Sequence, residues 1–166
     1  MSKAIFAGSF DPPTIGHLDV IERSLKLFDK LVIAVLHNPE KISRFTLEER
    51  LFLLKGISEK FEEGKIEIVA FDGLLVDLVE RLKVYTLIRG VRDNYDFRYE
   101  VNMADTNHKL NDKIETVFLP TKPENRCVCS ETVRHILSFN GDISAFVPKC
   151  ILCDIKNIIG GYSNES

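Results

Sequence analysis

No apolar run in this sequence approaches the length needed to cross a bilayer, and the N-terminus lacks a charged stretch leading into an apolar core and a cleavage site. A cytoplasmic protein with no membrane partner is therefore expected. Positive charge is not in excess: the net charge is −3 and the pI about 5.8, which excludes a broad basic surface for nucleic acid. Basic residues must matter locally instead. Cysteine is scarce, with four residues arranged as Cys127-x-Cys129 and Cys150-x-x-Cys153. Zinc knuckles usually pair two x-x motifs, so this spacing argues for free thiols in a reducing compartment and against a metal site. Repeats and linkers are missing too. So are Gly-x-x-x-x-Gly-Lys-Ser/Thr and Gly-x-Gly-x-x-Gly, which removes the P-loop and the dinucleotide fingerprint from consideration.

What remains is a chain of 166 residues, 45% hydrophobic, with six prolines. That suits a single domain over residues 1–160 with a frayed tail over 161–166. Its most informative stretch lies near the start. Ala4-Ile5-Phe6-Ala7 is a short apolar run suited to a buried parallel strand, and Gly8 lets the backbone turn sharply where that strand stops. Asp11-Pro12-Pro13 forbids continuation of strand or helix, so a helix is expected to open near Thr14 to Gly16, with Leu18, Ile21, Leu25 and Phe28 on its inner face. Taken singly, Gly8 fits a turn, Ser9 a loop hydroxyl and His17 a capping histidine. Together they place a hydroxyl, bare first-turn amides and an imidazole side by side, which is a seat for phosphate.

The rest of the chain alternates strands with helices. Strands are expected at Leu31–Leu36, Lys65–Ala70, Thr86–Ile88 and Thr116–Leu119. A helix is expected from Thr46, whose capping box with Glu49 is preceded by Phe45 as the staple residue. Its buried stripe is Leu47, Leu51, Leu54 and Ile57, and Glu62-Glu63-Gly64 closes it. Further helices are read at Leu74–Leu82, from Asp96 towards Asn111, from Ser130 with Cys129 or Ser130 as cap, and at Cys150–Ile159. This order gives an α/β fold, a doubly wound five-stranded parallel sheet. Ligands of such sheets bind beyond the carboxyl ends of the strands, where the strand order reverses. Arg89-Gly90-Val91-Arg92 sits at such an end and offers two guanidinium groups; Lys41, in a neighbouring loop, could add a compact ammonium.

Gly8-Ser9-Phe10-Asp11-Pro12 followed by Thr14-x-Gly16-His17 resembles the signature of the nucleotidyltransferase superfamily, whose T/HxGH motif handles nucleoside triphosphates. Three further blocks are similar to those of its phosphopantetheine adenylyltransferase family: Phe45-Thr46-Leu47-Glu48-Glu49-Arg50, Leu87 to Arg92 with Asp96-Phe97-Arg98-Tyr99-Glu100, and Val128 to Arg134. The resemblance spans about Lys3 to Pro148 and implies a Rossmann-like nucleotidyltransferase fold.

It also implies roles. Ser9, Lys41, Leu75 and Arg89 would meet the acceptor, 4′-phosphopantetheine. Ser9, Phe10, His17, Gly90, Val91, Arg92, Glu100 and the run Asn125, Arg126, Cys127, Val128, Cys129, Ser130 and Glu131 would meet ATP. His17, Lys41, Arg92 and Ser9 would carry the chemistry, with Mg2+ arriving on the triphosphate and no metal site in the protein. A homohexamer is implied as well. The chain departs from the family pattern at Cys129 and Glu131, where small hydroxyl residues are usual. Two rival readings stand beside this one: another nucleotidyltransferase, for example one acting on nicotinamide mononucleotide, and a non-catalytic nucleotide-binding module.

Overall fold

The computed structural model describes residues 1–37 and 42–163. Its five strands are β1 Lys3–Gly8, β2 Lys30–His37, β3 Ile66–Asp72, β4 Thr86–Val91 and β5 Glu115–Pro120. They form one sheet in the order β3-β2-β1-β4-β5, and every neighbouring pair is parallel. Among the described residues the connections carry α1 Ile15–Leu27, α2 Leu47–Ser58, α3 Leu75–Leu82, α4 Asn94–Leu110, α5 Ser130–Ser138 and α6 Lys149–Ser163, with a 3-10 turn at Pro123–Asn125. Strand order reverses between β1 and β4, as the doubly wound reading requires.

Side chains of the central strands alternate between two cores because the strand period is two. Ala4 and Phe6 of β1, with Leu31, Ile33 and Val35 of β2, face the larger core, where they meet Val20 and Ile21 of α1, Leu53, Leu54 and Ile57 of α2, Val133 and Leu137 of α5, and Ile151 and Ile155 of α6. Ile5, Ala7, Val32 and Ala34 face the smaller one, covered by Leu78 and Val79 of α3. Burial on both faces explains why β1 and β2 read as unbroken apolar runs.

β1 and β4 pair only at Ile5↔Leu87 and Phe6↔Ile88. Beyond that register the strands part, and a crevice opens between Gly8 on one side and Arg89 to Val91 on the other. Gly90 permits α1 to lie close above it: a Cβ there would stand 3.0 Å from Val20 Cγ2.

The loop from Ser9 to Thr14, which floors this crevice, is clamped from two sides. Asp11, 4% exposed, accepts the Phe45 N–H at Oδ1 (2.8 Å) and the Arg44 N–H at Oδ2 (3.1 Å), tying the loop to the residues ahead of α2. Arg50, buried on α2, donates to the Ser9 and Thr46 carbonyls at 2.9 and 3.2 Å. From α5, Arg134 donates to the Asp11 carbonyl (2.6 Å) and faces its carboxylate at 3.5 Å, and Ser130 Oγ donates to the Pro12 carbonyl (2.8 Å). The Asp11-Pro12 peptide is cis.

The expected elements are present, with shifted edges. The Thr46 cap forms as read, with Thr46 accepting the Glu49 N–H and the Glu49 side chain accepting the Thr46 N–H, and Thr14 forms a second such box with His17, which was not among the expected features. On α2 the buried positions are Arg50, Leu53, Leu54 and Ile57, with Leu47 and Leu51 only half-buried. Chain periodicity did not reveal Arg50, whose polar end satisfies carbonyls of the loop. α2 stops at Ser58, short of Glu62, because Lys60 and Phe61 turn back onto Ile57 and Ser58 through tighter i to i+3 bonds. On α1, Val20, Ile21 and Ser24 are buried deeper than Leu18, Leu25 and Phe28. β4 runs on through Arg89 to Val91, and α6 continues past Gly160 and Gly161 to Ser163.

Asp11→Ala would leave the buried Phe45 amide, the half-buried Arg44 amide and the Arg134 guanidinium without their carboxylate. The expected loss is about 2–4 kcal/mol of unfolding free energy, read from urea denaturation at neutral pH.

Candidate active site

α1 begins where the Thr14 side chain replaces the missing helical partner of the His17 N–H (3.4 Å). The reciprocal contact decides the chemistry of His17. The Thr14 N–H donates to Nδ1 at 2.9 Å, and Thr14 Oγ1 lies 3.0 Å from the same nitrogen. A backbone N–H can only donate, so Nδ1 is the acceptor and the proton of the neutral ring sits on Nε2. The ring leans on Phe10, tilted by 56° with centroids 5.0 Å apart, and Phe10 meets Phe6 edge-on at 5.3 Å. Burial, then the charges of Arg92 and Arg89, lower the His17 pKa to about 4. At neutral pH His17 is a fixed, uncharged donor.

A cavity of about 370 Å³ opens above this ring, lined by Gly8, Ser9, Gly16, His17, Arg89, Gly90, Arg92, Glu100, Val128, Cys129 and Ser130, among others. Eight of the residues named from the sequence therefore share one chamber with a ninth, Ser9, at its exposed mouth. The N-termini of two helices, α1 and α5, border it, which favours an anion there. The amides are less bare than expected, however. Ile15 N–H donates to the Phe146 carbonyl (3.0 Å), and His17 N–H is taken by Thr14.

Both arginines differ from the free cations pictured from the sequence. Arg89 forks Glu100, with Nε to Oε2 at 2.5 Å and Nη2 to Oε1 at 2.6 Å, and its Nη1 donates to the Ala7 carbonyl at 2.6 Å. Arg92 forks Asp96 in the same way, at 2.5 and 2.8 Å. The cause is the register of α4: Asp96 and Glu100, one turn apart, face two arginines at the end of β4. Since a guanidinium carries five N–H donors, two on Arg89 and three on Arg92 lie outside these carboxylate and carbonyl bonds, and the Arg92 group also faces Cys129.

Other expectations resolve differently. Phe10 is fully buried and in the left-handed region at φ 49°, so any contact with a ligand must come from its backbone. Val91, Asn125, Arg126 and Cys127 do not line the cavity, and Glu131 is exposed outside it. Cys129, rather than Ser130, caps α5: its Sγ accepts the Thr132 N–H (3.4 Å) and lies 3.1 Å from Thr132 Oγ1. Burial opposes ionisation of this thiol, but the Thr132 hydrogen bonds and the Arg92 charge outweigh it and lower its pKa. The Ser130 hydroxyl proton goes to Pro12. Lys41 lies outside the described residues.

Leu75 opens a second cavity of about 310 Å³, also lined by Leu36, Leu74, Leu87, Tyr99, Met103 and Leu110. Arg89 and Glu100 line both chambers and so form the partition between them. Sequence reasoning missed this apolar chamber, because its walls come from α3, α4 and the sheet and no single stretch shows it. It also missed Asp96, which the Arg92-x-x-x-Asp96 spacing on a helix start could have suggested.

A parallel sheet whose order reverses over a T-x-G-H helix start, with arginines on the next strand and a second helix N-terminus opposite, defines a nucleotidyltransferase. The cytidylyltransferase-like family matches residues 5–136. The chain is 47% identical to the phosphopantetheine adenylyltransferase of Lachnoclostridium phytofermentans over 99% of its own length and 100% of the relative's. It is 41% identical to that of Clostridium perfringens over 99% of each chain, and 44% identical to that of Caldanaerobacter subterraneus over 91% and 93%. A crystal structure described as a nicotinate-nucleotide adenylyltransferase from Vibrio parahaemolyticus superposes with a TM-score of 0.66 at 19% identity, covering 90% of this chain and 96% of that one, and speaks for the fold alone. The chain belongs to the cytidylyltransferase-like nucleotidyltransferases and, within them, to the phosphopantetheine adenylyltransferase family.

The lowered His17 pKa has a stability consequence. Between pH 6.5 and about 4 the unfolded chain binds a proton at this position that the folded chain excludes, so His17 makes stability fall as pH drops through that window. Its share of the slope is at most about 1.4 kcal/mol per pH unit. In urea denaturation series over this range, His17→Gln should show a shallower fall than the parent; identical slopes would contradict the assignment.

Proposed function

We propose that the chain transfers the adenylyl group of ATP to 4′-phosphopantetheine, releasing pyrophosphate and dephospho-coenzyme A. The observation that carries this reading is the pair of adjoining chambers with a common wall at Arg89 and Glu100. One is polar and lies under two helix N-termini, suited to a triphosphate; the other is apolar and suited to an uncharged, extended arm. An acceptor lying in the second with its phosphate at Arg89 meets the nucleotide's α-phosphorus across the partition.

The attack is direct. An acceptor phosphate oxygen forms the new P–O bond to the α-phosphorus while the bond to the β-phosphate oxygen breaks, and pyrophosphate leaves with that electron pair. No side chain is needed as a covalent carrier. Both reactants are anions, so catalysis amounts to positioning and stabilisation of developing charge. His17 donates Nε2–H to an α-phosphate oxygen and, being neutral, needs no proton from solvent to do so. Arg92 and the N-terminus of α5 hold the triphosphate. Ser9 orients the acceptor phosphate from the crevice mouth, and the Lys41 ammonium adds a compact positive charge for that phosphate.

Magnesium belongs with the ATP. The carboxylates lining the first chamber, Asp96 and Glu100, are both engaged by guanidinium forks. No group of three His, Cys, Asp or Glu side chains among the described residues could hold an ion. No described helix is long and apolar enough to cross a membrane, which supports a cytoplasmic location. α4 has no buried residue and exposes Tyr95, Tyr99 and Leu110, a face that another copy of the chain could cover; the number six comes from the family resemblance alone, and sedimentation would test it.

A pyrophosphate-release assay with ATP and 4′-phosphopantetheine tests the reaction. His17→Ala should lower kcat by about a hundredfold or more, the scale of one lost transition-state donor, and unchanged turnover would refute its role. Leu75→Asp should raise the KM for 4′-phosphopantetheine by at least about tenfold, the scale set by burying an unpaired charge against an apolar chain, with the KM for ATP unaltered.

A further inference from the structure

The two arginines of the site are held unequally. Arg89 has three ties: two to Glu100 and one to the Ala7 carbonyl of β1, so the sheet itself fixes it. Among the described residues Arg92 meets no backbone carbonyl. Its guanidinium is gripped by Asp96, and on its other side it reaches Cys129, the cap of α5. One carboxylate thus takes two N–H groups of the same guanidinium. Asp96 is itself well fixed: its own N–H donates to Asp93 Oδ1 at 2.9 Å, and Asp93 caps α4. Both Arg92 and Asp96 line the chamber.

We propose that Asp96 is a positioning residue for adenylyl transfer, holding the Arg92 guanidinium in the plane that points its unused N–H groups at the nucleotide phosphates beside the N-terminus of α5. The inference rests on the adenylyl-transfer reading of the site and adds a residue to it. A flexible arginine samples many rotamers, and a phosphate could bind several of them; the transition state, with in-line geometry, needs one. The bidentate fork selects that one before the substrate arrives. The carboxylate is a negative charge close to a triphosphate and so works against ground-state binding. Its benefit must therefore appear in the chemical step.

This separates it from a plain structural role. A carboxylate in the first turn of α4 also favours the helix through the macrodipole, and that role would not depend on Arg92. The test is a double-mutant cycle of Asp96→Asn and Arg92→Ala, read by pyrophosphate release. Asp96→Asn alone should lower kcat by about tenfold or more, the scale of a misplaced catalytic contact, while the KM for ATP stays level or falls. In the Arg92→Ala background the same substitution should change kcat by less than about twofold, since the group it acts through is gone.

A kcat for Asp96→Asn within about twofold of the parent would overturn the proposal, as would an equal fractional loss in both backgrounds. Should Asp96→Asn melt below the assay temperature, Asp96→Glu carries the same cycle, because it keeps the charge in the first turn but shifts the fork by one methylene. If the parent releases no pyrophosphate with 4′-phosphopantetheine, the adenylyl-transfer reading fails. The cycle is then read on ATP affinity by calorimetry: an effect of Asp96→Asn confined to chains that keep Arg92 upholds the pairing, and equal effects with and without Arg92 overturn it.

Discussion

The Asp11 carboxylate is the constraint on which this site rests. A loop carrying two prolines and a buried aromatic in the left-handed region would not hold one shape unaided. Asp11 takes two amides ahead of α2, and Arg134 of α5 grips the same residue from the opposite side. Arg50 adds the Ser9 carbonyl. Three parts of the chain distant in sequence are thereby locked around the turn that presents Ser9 and His17. Buried charges of this kind add little net stability, but each leaves large penalties if its partners stray, so the arrangement has few alternatives.

Electrostatic balance is the second theme. The chamber gathers two guanidiniums and then sets a carboxylate against each. Two uncompensated cations this close would repel and demand counter-ions. Pairing them with Asp96 and Glu100 relieves that repulsion and fixes their direction, while the remaining N–H donors stay available to phosphate. The two helix N-termini beside the chamber add fixed partial positive charge, although the Ile15, His17 and Thr132 amides already have partners. His17 fits the same logic: held neutral by burial and by the arginines, it donates without adding a charge that would need compensation.

Much of this was legible in the residue order. The apolar runs of β1 and β2, the helix opening near Thr14, the capping box at Thr46, and the Gly-Ser turn with its Asp-Pro elbow are local signals, and local hydrogen bonds and burial on two faces made them come true. Arg50 and Asp96 were not legible as site residues. A charged side chain on a helix reads as a solvated one until the fold brings carbonyls or a guanidinium to it. The apolar chamber at Leu75 escaped for a similar reason, since α3, α4 and the sheet each contribute only a few of its walls.

By itself, then, the amino-acid order determined the parallel α/β architecture, the helix starts and the chemical groups gathered at the strand ends, because each follows from short-range sterics, capping and periodicity. Only the tertiary structure decided which nitrogen of His17 carries the proton, that Phe10 turns inward, that both arginines arrive already paired, and that two chambers share a wall. Those outcomes depend on which groups become neighbours when distant segments pack, and that is settled by geometry in three dimensions.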